Sequence, residues 1–502
     1  MCFARWTLHV SDKLQFVATS FLVQGLRILA ALIMARLLAP EIYGIVALTM
    51  AIPSVLTNLG DMGVARSIVH FRDSPRQTVE DSGLVICLVM GLLMLVASSG
   101  AGAYLARIKG NPHLLAIGGF IGLAGLLGQV YQFQMACLNR DLQFRQEAWQ
   151  NLLFSMATIT AGITIALLGG GVYALVLQPL VAQVVANLAI QRRYSLRWPR
   201  QARWAMAKRM LVYGWWLTLA GYVNNLQGTL LGLWIGFRFG TASLGIYGRG
   251  TQIRDMAGQN VNTAFDRLLY PLLVNAADDK PRMQSLFIRG LTGSSLICVF
   301  GWATMTALAP DLVFVGIGRQ WGGVPPVLVA VAPWLLIVPF GLMASVAANV
   351  LGRPKALLAA STALVLAAVP ALVVTRNFDL SFVGASITAA SAAVMIIFFW
   401  KMGNAMRIPR RKVIARHLPI WLAGAIAFLV MRCGRQQAWA WLGWNDTKLF
   451  GVGFEVGVPS VFLVMAILTL CGLVAYGAVN ALLGWNSCRE VVSLLRLRRA
   501  ML

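Results

Sequence analysis

Residues 245–271 read GIYGRGTQIRDMAGQNVNTAFDRLLYP. The stretch is as long as a membrane span and lies among far more apolar segments, yet it carries Arg249, Gln252, Arg254, Asp255, Gln259, Asn260, Asn262, Asp266 and Arg267. It is either a long loop or a polar helix held in a membrane, and its spacing decides between them. Gln252, Asp255, Gln259, Asn262 and Asp266 recur at intervals of three and four, and Arg249 precedes them by three. All therefore lie along one stripe of an α-helix. Ile253, Met256, Val261, Phe265 and Leu268 are left for the other faces. A loop cannot face hydrocarbon, because its backbone groups would go unpaired, whereas a helix can if its polar side meets water or protein. The stretch predicts a transmembrane helix with its polar stripe on an aqueous cavity.

The rest of the chain supplies the membrane context. Its 502 residues are 59% hydrophobic and 12% charged, against about 25% charged in soluble proteins. Mean hydropathy is +0.73. Apolar runs long enough for transmembrane helices recur along the whole length, which excludes a cytosolic enzyme and a disordered protein. The first run, residues 14–34, exceeds the ~7–15-residue apolar core of a signal peptide and reads as a first span. Seven cysteines are scattered singly with no CxxC pair, and four histidines form no HExxH. The chain also has no GxxxxGK[ST] stretch. These absences predict no metal site, no redox pair, no nucleotide hydrolysis and no cofactor.

Charged and Pro/Gly-rich breaks divide the chain into fourteen expected spans: residues 16–37, 43–64, 82–105, 113–137, 148–168, 172–190, 210–237, 245–271, 291–309, 324–350, 356–374, 380–400, 418–431 and 456–483. With the N-terminus cytoplasmic, the inner segments hold 29 Lys+Arg and the outer loops 9, the remaining four of the 42 lying inside spans. That alternating bias is the positive-inside signature, so both termini are expected in the cytoplasm. The net charge of +25 then reflects topology and attraction to anionic inner-leaflet lipid, not nucleic-acid binding. Two inner segments, 191–209 and 401–417, are strongly basic and contain no acid.

An internal repeat organises the spans. RLLAPEIYGIVALTMAI (36–52) resembles RFGTASLGIYGRGTQI (238–253), with Tyr43-Gly44 corresponding to Tyr247-Gly248 and Asn58 to Asn262. The match falls on spans two and eight, and an even offset gives parallel repeats. The expected architecture is an all-α integral membrane protein of about 14 transmembrane helices. Two pseudo-symmetric six-helix bundles surround a central cavity, followed by two C-terminal helices. The expected divisions are a lobe at 1–191, a basic linker at 192–209, a lobe at 210–400, and a basic linker, helices 13–14 and basic tail at 401–502.

Polar residues mark the cavity. Span one carries Ser20, Gln24 and Arg27 on one face, with Arg27 about halfway through. Span two adds Asn58 and Asp61, and span seven Thr218, Tyr222 and Asn225. Spans three to six hold no firmly internal charge, and no Glu falls within an expected span. The candidate substrate-binding residues are Arg27, Arg249, Arg254, Gln24, Gln252, Asn58, Asn225, Gln259 and Asn262. Asp255, Asp61 and Asp266 are the candidates for ion coupling. Intramembrane charges are functional by default, and buried arginine suits bidentate recognition of phosphate or carboxylate. Adjacent helix residues do not face each other, so Arg254–Asp255 and Asp266–Arg267 are expected to find partners elsewhere.

RLLAPEIYGIVALTMAI followed by NLGDMGVARSIVHF (58–71) resembles the N-terminal signature of Wzx-type polysaccharide and O-antigen flippases. These belong to the multidrug/oligosaccharidyl-lipid/polysaccharide exporter superfamily. LGIYGRGTQI (244–253) is similar to the second signature of that family, a Tyr-x-Arg-x-x-Gln pattern formed here by Tyr247, Arg249 and Gln252. The resemblance implies translocation of undecaprenyl-diphosphate-linked oligosaccharide from the cytoplasmic to the periplasmic face of a bacterial inner membrane. Membrane lipids, a polysaccharide polymerase and a chain-length regulator are the implied partners, and a proton or sodium gradient or the membrane potential the implied energy source. Related lipid II flippases hold the diphosphate with arginines on spans one, two and eight. Arg27 and Arg249 match the first and last, while Arg66 lies only at the inner end of span two. Three other functions compete: a multidrug antiporter, a polysaccharide polymerase or ligase, and a non-transporting lipid scramblase or scaffold. A proton- or sodium-coupled multidrug antiporter wants acids in its cavity, whereas four arginines stand here against Asp61, Asp255 and Asp266. A polysaccharide polymerase or ligase wants a large outer domain, and the longest outer loop is only about residues 432–455.

Overall fold

The structure is a computed structural model. It describes residues 24–60, 64, 67–68, 71, 74–141, 143–191, 199–276, 279–375, 377–444, 449–450 and 458–501. The described residues are helical and form no strand. In chain order the helices are α1 (Gln24–Leu37), α2 (Pro40–Gly60), α3 (Arg76–Lys109), α4 (His113–Arg140), α5 (Phe144–Leu167), α6 (Val172–Gln191), α7 (Trp204–Arg238) and α8 (Thr241–Asn275). There follow α9 (Lys280–Ala307), α10 (Ala309–Ile317), α11 (Val324–Val331), α12 (Trp334–Val350), α13 (Pro354–Val374), α14 (Leu380–Ala405), α15 (Arg410–Leu442) and α16 (Val458–Met501). Long unbroken apolar runs leave the helix as the only way to pair every backbone group in lipid. The stops are local. Gly110 (φ 64°) and Gly443 (φ 67°) close α3 and α15 in the left-handed conformation that glycine adopts without strain. Asp279 opens α9 by accepting from the backbone N–H of Arg282 at 3.1 Å.

Among the described residues nine helices are long and apolar enough to cross a membrane, or eleven if each of two bent pairs is one span. One pair, α1 and α2, turns through 116°, and the other, α11 and α12, bends by 41°. The second bend falls at Ala332-Pro333, where proline withholds a backbone donor. Neither α7 nor α8 meets the apolarity test, because each carries its polar residues within the helix.

Several helices outrun the expected spans. The segment expected at 418–431 belongs to α15, which begins at Arg410 and takes up half of the basic 401–417 segment. Where a loop was expected at 138–147, α4 runs on to Arg140 and α5 begins at Phe144, so Glu147 lies within α5. That corrects the expectation that no span contains Glu. Its carboxylate accepts from the Asn139 side chain, which is the kind of partner a half-buried acid requires.

The chain forms two compact units, Met1–Gly245 and Ile246–Leu502, whose boundary falls inside α8. In the first, α3 and α4 pack along most of their length, as do α5 and α6, and α7 lies on α2. The starts of α2 and α8 approach backbone to backbone. A Cβ on Gly44 would overlap the Thr241 carbonyl, and one on Gly245 the Pro40 carbonyl. These small residues sit beside the Tyr-Gly pairs of the repeat and permit the close approach seen in membrane helix packing. In the second unit α9 is the most enclosed membrane-length helix, with α12, α15 and α16 packed around it. Phe287, Phe340 and Phe399 fill its core. By contrast α16 exposes Leu463, Leu470 and Val474, as suits a helix against lipid. Asp311 of α10 and Arg435 of α15 form a buried ion pair, Nε to Oδ2 at 2.5 Å. The Arg435 guanidinium lies 4.0 Å from the centroid of Trp439.

Candidate substrate site

Arg27 stands on the exposed side of α1. Its Nε donates to Ser155 Oγ on α5 at 3.1 Å. The Ser155 hydroxyl proton is already committed to the carbonyl of Asn151 at 2.8 Å. The serine oxygen can therefore only accept, and the terminal nitrogens of Arg27 are left outward. Among the described residues no acid pairs with Arg27. An exposed, acid-free guanidinium in a span must face water or a polar ligand, because the hydrocarbon rejects it. Gln24, one turn earlier, is also exposed.

On α8 the buried residues include Leu244, Tyr247, Gly250, Gly258, Val261, Leu269 and Leu273. Gly250 packs on Val327 of α11 and Gly258 on Leu335 and Val338 of α12. The predicted stripe lies on the other side, with Gln252, Gln259 and Asp266 exposed and Arg249, Asp255 and Asn262 half-buried. Arg249 Nη1 donates to Gln252 Oε1 one turn on, so the Arg-x-x-Gln spacing orients the guanidinium. The same guanidinium lies 5.7 Å from the ring centroid of Trp321, a side chain with no exposed surface.

Arg254 departs from the expectation. It pairs with its neighbour Asp255, through Nε at 2.8 Å and Nη2 at 2.7 Å to the same Oδ1. The spacing rule describes Cβ directions, but an arginine has enough rotatable bonds to curl round the helix to the next residue. The two charges offset each other where each was expected to act separately. Asn225 of α7 is exposed. Asn58 lies on α2, but its side chain is outside the described residues, as are those of Thr218 and Arg267. Asp61, Arg66 and Ser20 lie wholly outside them.

Asn262 and Asp266 line a cavity of about 350 Å³ with Trp334, Val338 and Ser345 of α12 and Met395 of α14. Ser155, Trp321, Trp334 and Ser345 were absent from the sequence reading, since each sits in an apolar segment with no periodic signal of its own. Among the described residues no group of three or more His, Cys, Asp or Glu is placed to hold a metal ion.

The family model of the polysaccharide biosynthesis proteins matches residues 33–326. The chain belongs to that family. It is 24% identical over 318 residues to the succinoglycan biosynthesis transport protein ExoT of Rhizobium meliloti, covering 61% of each chain. It is 20% identical over 330 residues to the lipopolysaccharide biosynthesis protein WzxC of Escherichia coli, covering 63% of this chain and 64% of that one. The matches thus span a little under two thirds of these curated relatives. Among solved structures, the lipid II flippase MurJ in an inward closed conformation superposes with a TM-score of 0.71 at 11% identity, over 93% of this chain and 98% of that one. An inward-facing multidrug resistance MATE family transporter of the MOP superfamily superposes with a TM-score of 0.62 at 16% identity, over 76% and 94%. The fold is that of these two transporter structures, and the chain is a multi-pass membrane protein of the polysaccharide biosynthesis family.

Proposed function

We propose that this protein translocates undecaprenyl-diphosphate-linked oligosaccharide repeat units from the cytoplasmic to the periplasmic leaflet of the bacterial inner membrane, for capsule, exopolysaccharide or O-antigen synthesis. It does so by alternating access, with fourteen spans and both termini cytoplasmic. The observation that carries this reading is Arg27, a guanidinium inside a span that Ser155 holds through Nε and that pairs with no acid among the described residues. A diphosphate offers several charged oxygens to such a fork, and each bond is charge-assisted. Arg249 of the other unit, set by Gln252 and Trp321, is a further candidate cation for the same chemistry. A cation-expelling antiporter is disfavoured by Asp255, whose charge is offset by Arg254. The driving force is a proton or sodium gradient or the membrane potential.

The test is reconstitution in proteoliposomes with defined undecaprenyl-diphosphate sugars under imposed ion gradients and potentials. Arg27→Ala and Arg249→Ala each lose translocation with normal expression and insertion. Arg→Lys restores part of it at most, because the charge returns without the planar fork. A correctly inserted double-alanine protein that moves substrate at the normal rate would sink the diphosphate assignment.

A further inference from the structure

The Asn262–Asp266 cavity has a chemistry unlike that of the arginines. On α8 these two residues are one turn apart and share a face. Asn262 Oδ1 is buried and has no hydrogen-bond partner among the described residues. Asp266, likewise among the described residues, has no ion-pair or hydrogen-bond partner. Ser345 Oγ has committed its proton to the carbonyl of Gly341 at 2.9 Å and retains only lone pairs. The polar side of the cavity thus presents a carboxylate and unpartnered acceptors, beside the donors of the Asn262 amide and the Thr263 hydroxyl. Trp334, Val338 and Met395 supply an aromatic and aliphatic part of the lining.

The Asp266 carboxylate disfavours an anion here, so the cavity is a poor site for the diphosphate. A bare inorganic cation would leave most of about 350 Å³ unfilled and gain nothing from a tryptophan shelf. A pyranose meets both parts of the lining at once. Its hydroxyls donate to the acceptors, and the polarised C–H bonds of its ring face lie against the indole π-cloud. The volume is at the small end of the ~300–1,000 Å³ range of small-molecule sites.

We propose that this cavity is a sugar subsite for the oligosaccharide end of the substrate. The proposal rests on the translocation reading and gives it a direction. Arg249 and Asp266 are separated by 17 positions of one continuous helix, or about 25 Å at the helical rise. The helix therefore carries a phosphate-seeking group at one end and a hydroxyl-seeking cavity toward the other.

Saturation-transfer NMR on the purified protein in lipid nanodiscs tests this, with the methyl pyranosides of glucose, galactose, mannose and N-acetylglucosamine as probes. At least one probe receives saturation at its ring protons. Trp334→Leu, which removes the stacking face, and the isosteric Asp266→Asn each weaken that binding roughly tenfold or more. Sodium chloride does not displace the sugar. No bound pyranoside, binding unchanged in both variants, or displacement by sodium would each overturn the subsite. Translocation assays on the same preparations separate the two readings. Sugar binding that both variants lose, in a protein that moves no lipid-linked substrate, supports the subsite and refutes the flippase. Normal translocation with no pyranoside bound refutes the subsite and leaves the flippase standing.

Discussion

Ser155→Ala isolates orientation from stability. Ser155 is itself buried, with 1% of its surface exposed, but the group it holds is the exposed guanidinium of Arg27. Removing the hydroxyl strands no buried donor, because Arg27 Nε can turn to water. The Asn151 carbonyl loses only an extra partner. The interaction of an exposed cation is worth about 0–1 kcal/mol to stability after solvent screening, so the unfolding transition should barely move. Substrate is affected differently. The Nε bond fixes the plane of the guanidinium, and losing one charge-assisted contact of about 1.5 kcal/mol corresponds to roughly a tenfold fall in kcat/KM. Ser155→Thr gives the opposite signature. It keeps the acceptor oxygen and the activity, while its extra methyl overpacks a filled site at a cost of about 1–3 kcal/mol. Initial rates in proteoliposomes and thermal unfolding of the same preparations measure both quantities. Wild-type rates in Ser155→Ala, or loss of activity in step with loss of stability, would refute an orienting role.

The Asp311–Arg435 pair should behave as a buried salt bridge. Asp311→Ala strands a buried cation and lowers stability by about 3–5 kcal/mol in thermal or chemical denaturation, whereas Asp311→Leu with Arg435→Met recovers most of that loss; equal stabilities for the single and double variants would contradict it. Gly245→Val should disrupt the crossing of α2 and α8, because its Cβ meets the Pro40 backbone, whereas Gly248→Val has open space around its Cβ and should retain far more of the folded, inserted protein. Equal yields of the two by fluorescence-detected size exclusion would show that the crossing tolerates a side chain.

The sequence by itself determined what depends on composition and on spacing within a helix. Apolar run length places the chain in a membrane, and the three-and-four spacing in 245–271 identifies α8 and its polar face. Both signals are local, since helix periodicity relates residues to their own turn. The Arg249–Gln252 bond is legible for the same reason. The Arg254–Asp255 pair is equally local and was still missed, because reasoning from Cβ directions leaves out the reach of an arginine.

Only the tertiary structure decided which apolar segments supply the partners of the polar residues. Ser155 lies 128 positions from Arg27 and Asp311 124 from Arg435, and no periodicity connects such pairs. Trp321 and Trp334 read as ordinary membrane aromatics until packing sets one beneath Arg249 and the other against the Asn262–Asp266 cavity. Spacing along one helix fixes which way a side chain leaves it. What that side chain meets depends on how neighbouring helices pack, and packing between helices is a property of residues far apart in the chain.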